Sequence, residues 1–166
     1  LPAAVGASIA NKNSRVICVT GDGSIMMNLQ ELATINYKEM PIKIFILNNN
    51  GYHSIRQTQK NFFPDNLVGT SKNDGVGFPN FLKIGKAFNI KSYDIKSLKD
   101  LKFIFNKKHF NNNKPAIYII NIDKNQDFQP KLKSRVGLNG NMITPELHDM
   151  WPFLSEKEIS NNLIIK

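Results

Sequence analysis

Apolar residues along this chain come in short blocks, and the blocks alternate between two periods. Residues 15–20 (RVICVT) and 42–47 (IKIFIL) are dense in β-branched and aromatic side chains without clean in–out alternation, the pattern of strands covered on both faces. Between them Leu29, Leu32, Ala33 and Asn36 are spaced to share one helical face, and Asn28 with Glu31 three residues on offers an N-terminal cap. The opening segment 2–10 also reads as a helix, with Pro2 near its first turn, and 11–14 as a turn. Further on, 81–88 reads as a helix, 90–95 as a weaker strand, 98–110 as a helix and 116–122 (AIYIINI) as a strong strand. This alternation predicts the α/β class: a three-layer α/β/α domain with a mostly parallel sheet and right-handed crossovers. Residues 64–79 form a loop of unusual length, and 124–166 form a polar, turn-rich tail. The expected organisation is a single domain over 1–166, with its core at about 1–123. Asn111-Asn112-Asn113 reads as a helix-ending loop, and Trp151-Pro152-Phe153 as an apolar knot that packs the tail or fills a subunit interface.

Length and charge narrow the function classes. At 166 residues the chain can bury a core without staples. No apolar run approaches the roughly 20 residues that a bilayer crossing needs, so no membrane partner is expected. The one cysteine, Cys18, excludes an intramolecular disulfide framework and a cysteine-based zinc site, and mid-strand it is expected to be a buried, unreactive thiol. No secretory signal pattern opens the chain, and a cytoplasmic location is expected. The formal net charge of +9 suggests polyanions at first sight. Yet only Arg15, Arg56 and Arg135 are arginines, and the lysines are scattered, with one adjacent pair at Lys107-Lys108. Nucleic-acid readers cluster their cations and use Arg on base edges, so no nucleic acid is expected. The positive field favours a small anion instead.

Parallel sheets bind ligands beyond the carboxyl ends of their strands. Two such ends carry unusual residues, Val19-Thr20-Gly21-Asp22-Gly23-Ser24 and Leu47-Asn48-Asn49-Asn50-Gly51-Tyr52. Gly21 and Gly23 allow backbone amides close to an anion, and Ser24 adds a hydroxyl, which suits a phosphate. Asp22 would repel a bare phosphate, so the combination asks for a cation between them. Asp22, the Asn49 amide oxygen and a backbone carbonyl make a hard-oxygen set of the kind Mg²⁺ or Ca²⁺ takes. The plainer alternative is that Asp22 caps a helix and the glycines make a tight turn. No G-x-x-x-x-G-K-[ST] is present, and Met26 stands where a dinucleotide fingerprint needs Gly or Ala. His53, His109 and His148 have no metal-ligand spacing among them. Arg56 and Gln57 follow on an expected helix, where they could reach substrate or lie on the surface.

Gly21-Asp22-Gly23-Ser24, followed across the next strand by Asn48-Asn49, resembles the thiamine diphosphate-binding motif. The flanks Leu1-Pro2-Ala3-Ala4-Val5-Gly6-Ala7 and Asn28-Leu29-Gln30-Glu31-Leu32-Ala33-Thr34 resemble the acetolactate synthase-like branch of that enzyme family, and 126–132 (QDFQPKL) resembles members found in carbohydrate biosynthesis. The resemblance is strong from Leu1 to about Phe63 and looser to Ile122. It implies the thiamine diphosphate-binding fold and the cofactors thiamine diphosphate and Mg²⁺. Asp22, the Asn49 side chain and the Gly51 carbonyl would hold the metal. Gly21, Gly23 and Ser24 would contact the diphosphate, with Tyr52 and His53 lining the diphosphate and thiazolium side. Acetolactate synthases tend to carry Gly-Met at the positions of His53-Ser54, so the resemblance does not carry their substrate specificity over to this chain. The implied substrates are a 2-oxo acid or an aldehyde, in decarboxylation, carboligation or both. The family's activating glutamate comes from a pyrimidine-binding domain, usually of a neighbouring subunit in a homo-oligomer. No Glu here matches it, Glu31 and Glu39 reading as structural, so no catalytic residue is assigned. A chain that starts at Leu1, inside the first motif, is expected to be a fragment of a larger enzyme and inactive alone. A phosphate- or nucleotide-binding module without carboligase activity is the alternative, and a degenerate paralogue a third.

Overall fold

The computed structural model describes residues 1–105, 110–127, 129–137 and 139–163. The chain divides into two units, Leu1–Lys124 and Asn125–Lys166.

The first unit runs α1 (Pro2–Ala10), β1 (Val16–Gly21), α2 (Asp22–Met26), α3 (Glu31–Tyr37), β2 (Ile42–Asn48), α4 (His53–Phe62), α5 (Phe81–Ala87), β3 (Lys91–Ile95), α6 (Leu98–Ile104) and β4 (Ala116–Asn121). Its four strands form one wholly parallel sheet in the order β1-β2-β4-β3. Ile42, Ile44, Ile46, Ile117 and Ile119 point to one face, where they meet Ala4 of α1, Ile25 of α2, Leu32 and Ile35 of α3 and Phe81 of α5. Phe45, Ile95, Ala116 and Tyr118 point to the other, under Ile104 of α6. Helices thus cover both faces, and the α/β, three-layer, parallel-sheet expectation holds. Each fully buried isoleucine contributes about 1.5–3 kcal/mol, so the central strand β2, apolar on both faces, is the main source of cohesion.

Several local expectations differ from what forms. The strand at 15–20 is not covered on both faces: Ile17 and Val19 are 57% and 63% exposed, while Val16 and Cys18 face the core. β1 lies at the sheet edge, and among the described residues the second-face cluster gathers over β2, β3 and β4. For the same reason Cys18 is only partly buried. Asn28 is not a cap. The segment after β1 breaks into α2 and α3 with a turn between, and α3 starts from Gln30 without a side-chain cap bond. Its buried face is Leu32 and Ile35, while Ala33 is exposed. Glu39 lies beyond α3 in the left-handed region, at φ 47°. The helix expected over 98–110 is seen from Leu98 to Ile104; residues 106–109, with His109 and the Lys107-Lys108 pair, lie outside the described residues.

The second unit holds a small antiparallel pair, β5 (Arg135–Val136) with β6 (Met142–Ile143), and α7 (Glu156–Asn162), capped by Ser155. Lys131 and Trp151 exchange backbone hydrogen bonds of 3.0 and 2.8 Å. The Lys131 and Lys133 ammonium groups lie 5.2 and 5.1 Å from the Trp151 ring centre, and the Arg135 guanidinium lies 4.2 Å from that of Phe153. The apolar knot therefore packs within its own unit, as the platform of a cation–π stack. Phe128, inside the 126–132 segment, lies outside the described residues. No helix among the described residues is long and apolar enough to cross a membrane.

Candidate functional site

β1 and β2 are neighbours in register, Gly21 beside Leu47, so the two unusual strand ends emerge side by side. Asp22 is the first residue of α2 and is 2% exposed. Its bonds run to the next residue of α2 and across to the loop after β2. Its Oδ1 accepts the Gly23 amide at 2.8 Å, and its Oδ2 accepts the amides of Asn49 at 3.2 Å and Gly51 at 3.1 Å. One carboxylate thus ties the end of β1 to the loop after β2. Asn50 makes this possible: its φ of 55° turns the chain sharply, so that the amides on either side aim at the same oxygen. Burial pushes the Asp22 carboxyl up, and the backbone hydrogen bonds pull against that rise.

Beside this carboxylate, Asn49 is buried and its Oδ1 has no hydrogen-bond partner. A buried amide oxygen left without a donor is a costly arrangement that a bound cation would relieve. Among the described residues no three His, Cys, Asp or Glu cluster in a metal-binding arrangement. A cation here would therefore rest on one carboxylate, amide and carbonyl oxygens, and oxygens from its ligand, the donor set of a phosphate-bound Mg²⁺.

The glycines differ in what they do. A Cβ on Gly21 would meet only Ser24 Oγ, at 3.7 Å, and Gly21 has ordinary extended backbone. On Gly23 it would stand 2.4 Å from the Tyr52 ring, so Tyr52 packs directly on the bare backbone there. Tyr52 also meets Phe78 edge-on, with centroids 5.7 Å apart. On Gly51 a Cβ would stand 2.2 Å from the Thr70 carbonyl oxygen. The Tyr52 amide donates to that carbonyl at 2.8 Å. Ser24 is exposed near the start of α2, and His53 is buried at the start of α4. The structure therefore brings Gly21, Asp22, Gly23, Ser24, Asn49, Gly51, Tyr52 and His53 into one region around the ends of β1 and β2.

Two parts of this region are left open by the sequence pattern. Thr70 is fully buried behind Gly51, and Asp74 holds it there. The Asp74 carboxylate takes the amides of Thr70 (2.6 Å) and Ser71 (2.5 Å) and both of their hydroxyls (2.7 and 2.9 Å). Desolvation pushes the Asp74 carboxyl up, but these bonds together hold it down at about 2. The signal was present: Ser71-x-x-Asp74 is a capping box, and it forms one. The second is Arg56, whose place on the surface or toward substrate was open; it is buried, on the same side of α4 as His53. A polar groove of about 380 Å³ lies next to the site, bordered by Asn48, Asn50, Asp94 and Asn121 at the carboxyl ends of β2, β3 and β4.

Comparison with known proteins agrees with this geometry. Residues 1–120 match the family model described as "Thiamine pyrophosphate enzyme, C-terminal TPP binding domain". The chain is 44% identical over 102 residues to the acetolactate synthase large subunit of Cyanidium caldarium, covering 61% of this chain and 17% of that protein. It is 38% identical over 130 residues to the acetolactate synthase isozyme 2 large subunit of Escherichia coli K12, covering 78% and 23%. The chain thus spans about a fifth of the length of these curated relatives. Among solved structures, the thiamine diphosphate-dependent 4-hydroxybenzoylformate decarboxylase of Rhodococcus jostii RHA1 shares the fold, with a TM-score of 0.67 at 24% identity over 76% of this chain and 23% of that one. Together with the paired strand ends, these matches make the chain a member of the thiamine pyrophosphate enzyme family, corresponding to its C-terminal cofactor-binding domain in the acetolactate synthase-like branch.

Proposed function

We propose that this chain holds the Mg²⁺ and diphosphate end of thiamine diphosphate in an acetolactate synthase-like enzyme that decarboxylates 2-oxo acids, ligates aldehyde units, or both. The observation that carries the reading is the orphaned Asn49 Oδ1 beside the buried Asp22 carboxylate. Asp22, Asn49 Oδ1 and the Gly51 carbonyl are the proposed metal ligands. Gly21, Gly23 and Ser24 take the diphosphate by backbone amide and hydroxyl. Tyr52 and His53 line the same side and exclude water from it.

When bound, thiamine diphosphate supplies a carbon nucleophile for the carbonyl of a 2-oxo acid and an acceptor for the electron pair left by CO₂. This chain's own residues fix that cofactor in place: Asp22 neutralises metal charge, and the Asp74 clamp keeps Gly51 and Tyr52 from shifting away. The activating carboxylate and the rest of the substrate pocket belong, in this reading, to a pyrimidine-binding domain on a neighbouring subunit of a cytoplasmic homo-oligomer.

Thermal unfolding of the 166-residue chain tests the proposal, with thiamine diphosphate and Mg²⁺ together, each alone, and with EDTA. At a hundred times Kd a specific ligand stabilises by about 2.7 kcal/mol, a readable rise in Tm. The rise should need both components, vanish with EDTA and vanish in Asp22→Ala. A rise produced by nucleotides instead, or one that survives Asp22→Ala, overturns the reading.

A further inference from the structure

One charged side chain in the site region is left over by everything above. Arg56 is 7% exposed, and its Nε and Nη2 are both buried without a hydrogen-bond partner. None of the ion pairs among the described residues includes it. The region's two carboxylates are engaged elsewhere, Asp22 by backbone amides and Asp74 by Thr70 and Ser71. Lys43, also buried, makes a sharp contrast. Lys43 is fully buried, and its ammonium donates to Asn112 Oδ1 and to the Lys114 carbonyl, both at 2.7 Å. That is how a cation with a purely structural role is accommodated. Arg56 has no such arrangement, and a guanidinium does not escape burial by giving up its proton as a lysine can.

Its position says what would complete it. Arg56 lies in the first turn of α4, a helix of ten residues whose N-cap, Tyr52, makes no side-chain cap bond. Helical side chains lean toward the N-terminus, and Arg56 does so: its Nη1 lies 3.4 Å from where a Cβ on Gly51 would stand. A buried guanidinium, uncapped helix amides and the positive end of the helix dipole converge on the loop that carries Gly51 and Tyr52.

We propose that Arg56 is an oxyanion-binding residue of this site, held without an internal partner because its counter-ion is the ligand: a phosphate oxygen of the cofactor or the carboxylate of a 2-oxo acid. The inference rests on the proposed function for the identity of these two anions, which present the same planar or tetrahedral oxygens to a guanidinium.

The test compares wild type, Arg56→Met, Arg56→Lys and Asp22→Asn in the full 166-residue chain. Calorimetric affinity is measured for Mg²⁺–thiamine diphosphate and, separately, for pyruvate as the simplest 2-oxo acid. Ligand-free Tm is measured alongside, with circular dichroism confirming that each variant folds. In Arg56→Met one affinity should fall about tenfold or more, the size of a lost hydrogen bond to a charged group, with Arg56→Lys between. Loss for the cofactor places the oxyanion on the diphosphate, and loss for pyruvate places it on the substrate. Ligand-free Arg56→Met should melt no lower than wild type, because an uncompensated buried charge has been removed. Unchanged affinities for both probes, or a lower ligand-free Tm with affinities intact, overturn the proposal and make Arg56 structural. If Asp22→Asn then still abolishes cofactor binding, the cofactor reading stands without it. If wild type binds neither probe, both fall.

Discussion

At the scale of single residues, the Gly-Asp-Gly at 21–23 stands out through its place at a strand end and its resemblance to the thiamine diphosphate-binding motif; taken alone it also fits a helix cap in a tight turn. What the sequence did not reveal is how unequal the glycines are, since that depends on Tyr52 and Thr70, far along the chain. The inequality makes a prediction. In Gly51→Ala the new methyl meets the Thr70 backbone, which Asp74 holds fixed, so the fold itself should lose about 1–3 kcal/mol, read as a lower urea midpoint. In Gly23→Ala the obstacle is a side chain that can rotate away. Stability should change less there, while the cofactor-dependent rise in Tm is lost. Equal effects on stability would mean that Tyr52 is as fixed as the Thr70 backbone. A second residue behaves oppositely. Tyr118 is fully buried and stacked between Phe45 and Tyr93, with centroids at 4.8 and 5.3 Å, and its hydroxyl has no partner. Burial, reinforced by Tyr93, pushes its ionisation up to about 12. Tyr118→Phe keeps the stack and removes the orphan, so it should raise stability by about 1 kcal/mol in urea unfolding. A loss of that size would reveal a partner for the hydroxyl.

At the scale of elements, β2 and β4 were read correctly because strands buried on both faces need apolar residues at nearly every position. β1 looks the same in sequence and differs in the structure, because an edge position is decided by neighbours rather than by the strand's own residues. The break between α2 and α3 leaves no mark in the apolar spacing: the chain turns over 27–30 before Leu32 and Ile35 reach the core. Lys43 is the element-scale counterpart of these misses, a cation in the middle of an apolar strand. Together with Arg15, which bonds the Phe110 carbonyl and Asn111 Oδ1, it fastens the 110–114 loop to the amino ends of β1 and β2. Desolvation, with a contribution from Arg15, lowers its titration from 10.5 to about 8. The unfolded chain therefore keeps this proton up to about 10.5, whereas the folded chain releases it above about 8. Between those values the unfolded state binds more protons, so this residue makes stability rise with pH; below them its burial cost is present in full. The stability of wild type relative to Lys43→Met should increase by up to about 3 kcal/mol from pH 8 to 10.5, measured by urea unfolding at stepped pH. A flat difference would show that Lys43 keeps its proton in the fold.

At the scale of the whole molecule, the two units rest on different physics. Every buried apolar residue of the described chain lies between Ala4 and Ile119, so the first unit owns the hydrophobic core. Among its described residues the second has none, and Val136, Met142, Leu147 and Leu154 are exposed. Its order comes from Lys131, Lys133 and Arg135 stacked over Trp151 and Phe153, with ion pairs from Lys131 to Asp127 and from Arg135 to Asp149. A sequence pattern ranks segments by apolar content and so reads 124–166 as a tail, because alternating cations facing aromatics carry no hydrophobic period. Contacts of this kind contribute roughly 0.5–1 kcal/mol each at exposed sites and weaken with salt, far less than buried isoleucines supply. Trp151 is the only tryptophan, whereas all four tyrosines, Tyr37, Tyr52, Tyr93 and Tyr118, lie in the first unit. Each unit therefore carries its own optical probe. In a urea titration, Trp151 fluorescence should change at lower denaturant and over a broader range than far-ultraviolet dichroism, which the sheet unit dominates. Added salt should move the fluorescence transition further down and leave the dichroism midpoint nearly in place. A single coincident transition at both salt concentrations would instead mean that residues 125–166 draw their stability from the sheet unit, and the cation–π stack would then be a consequence of the fold rather than its cause.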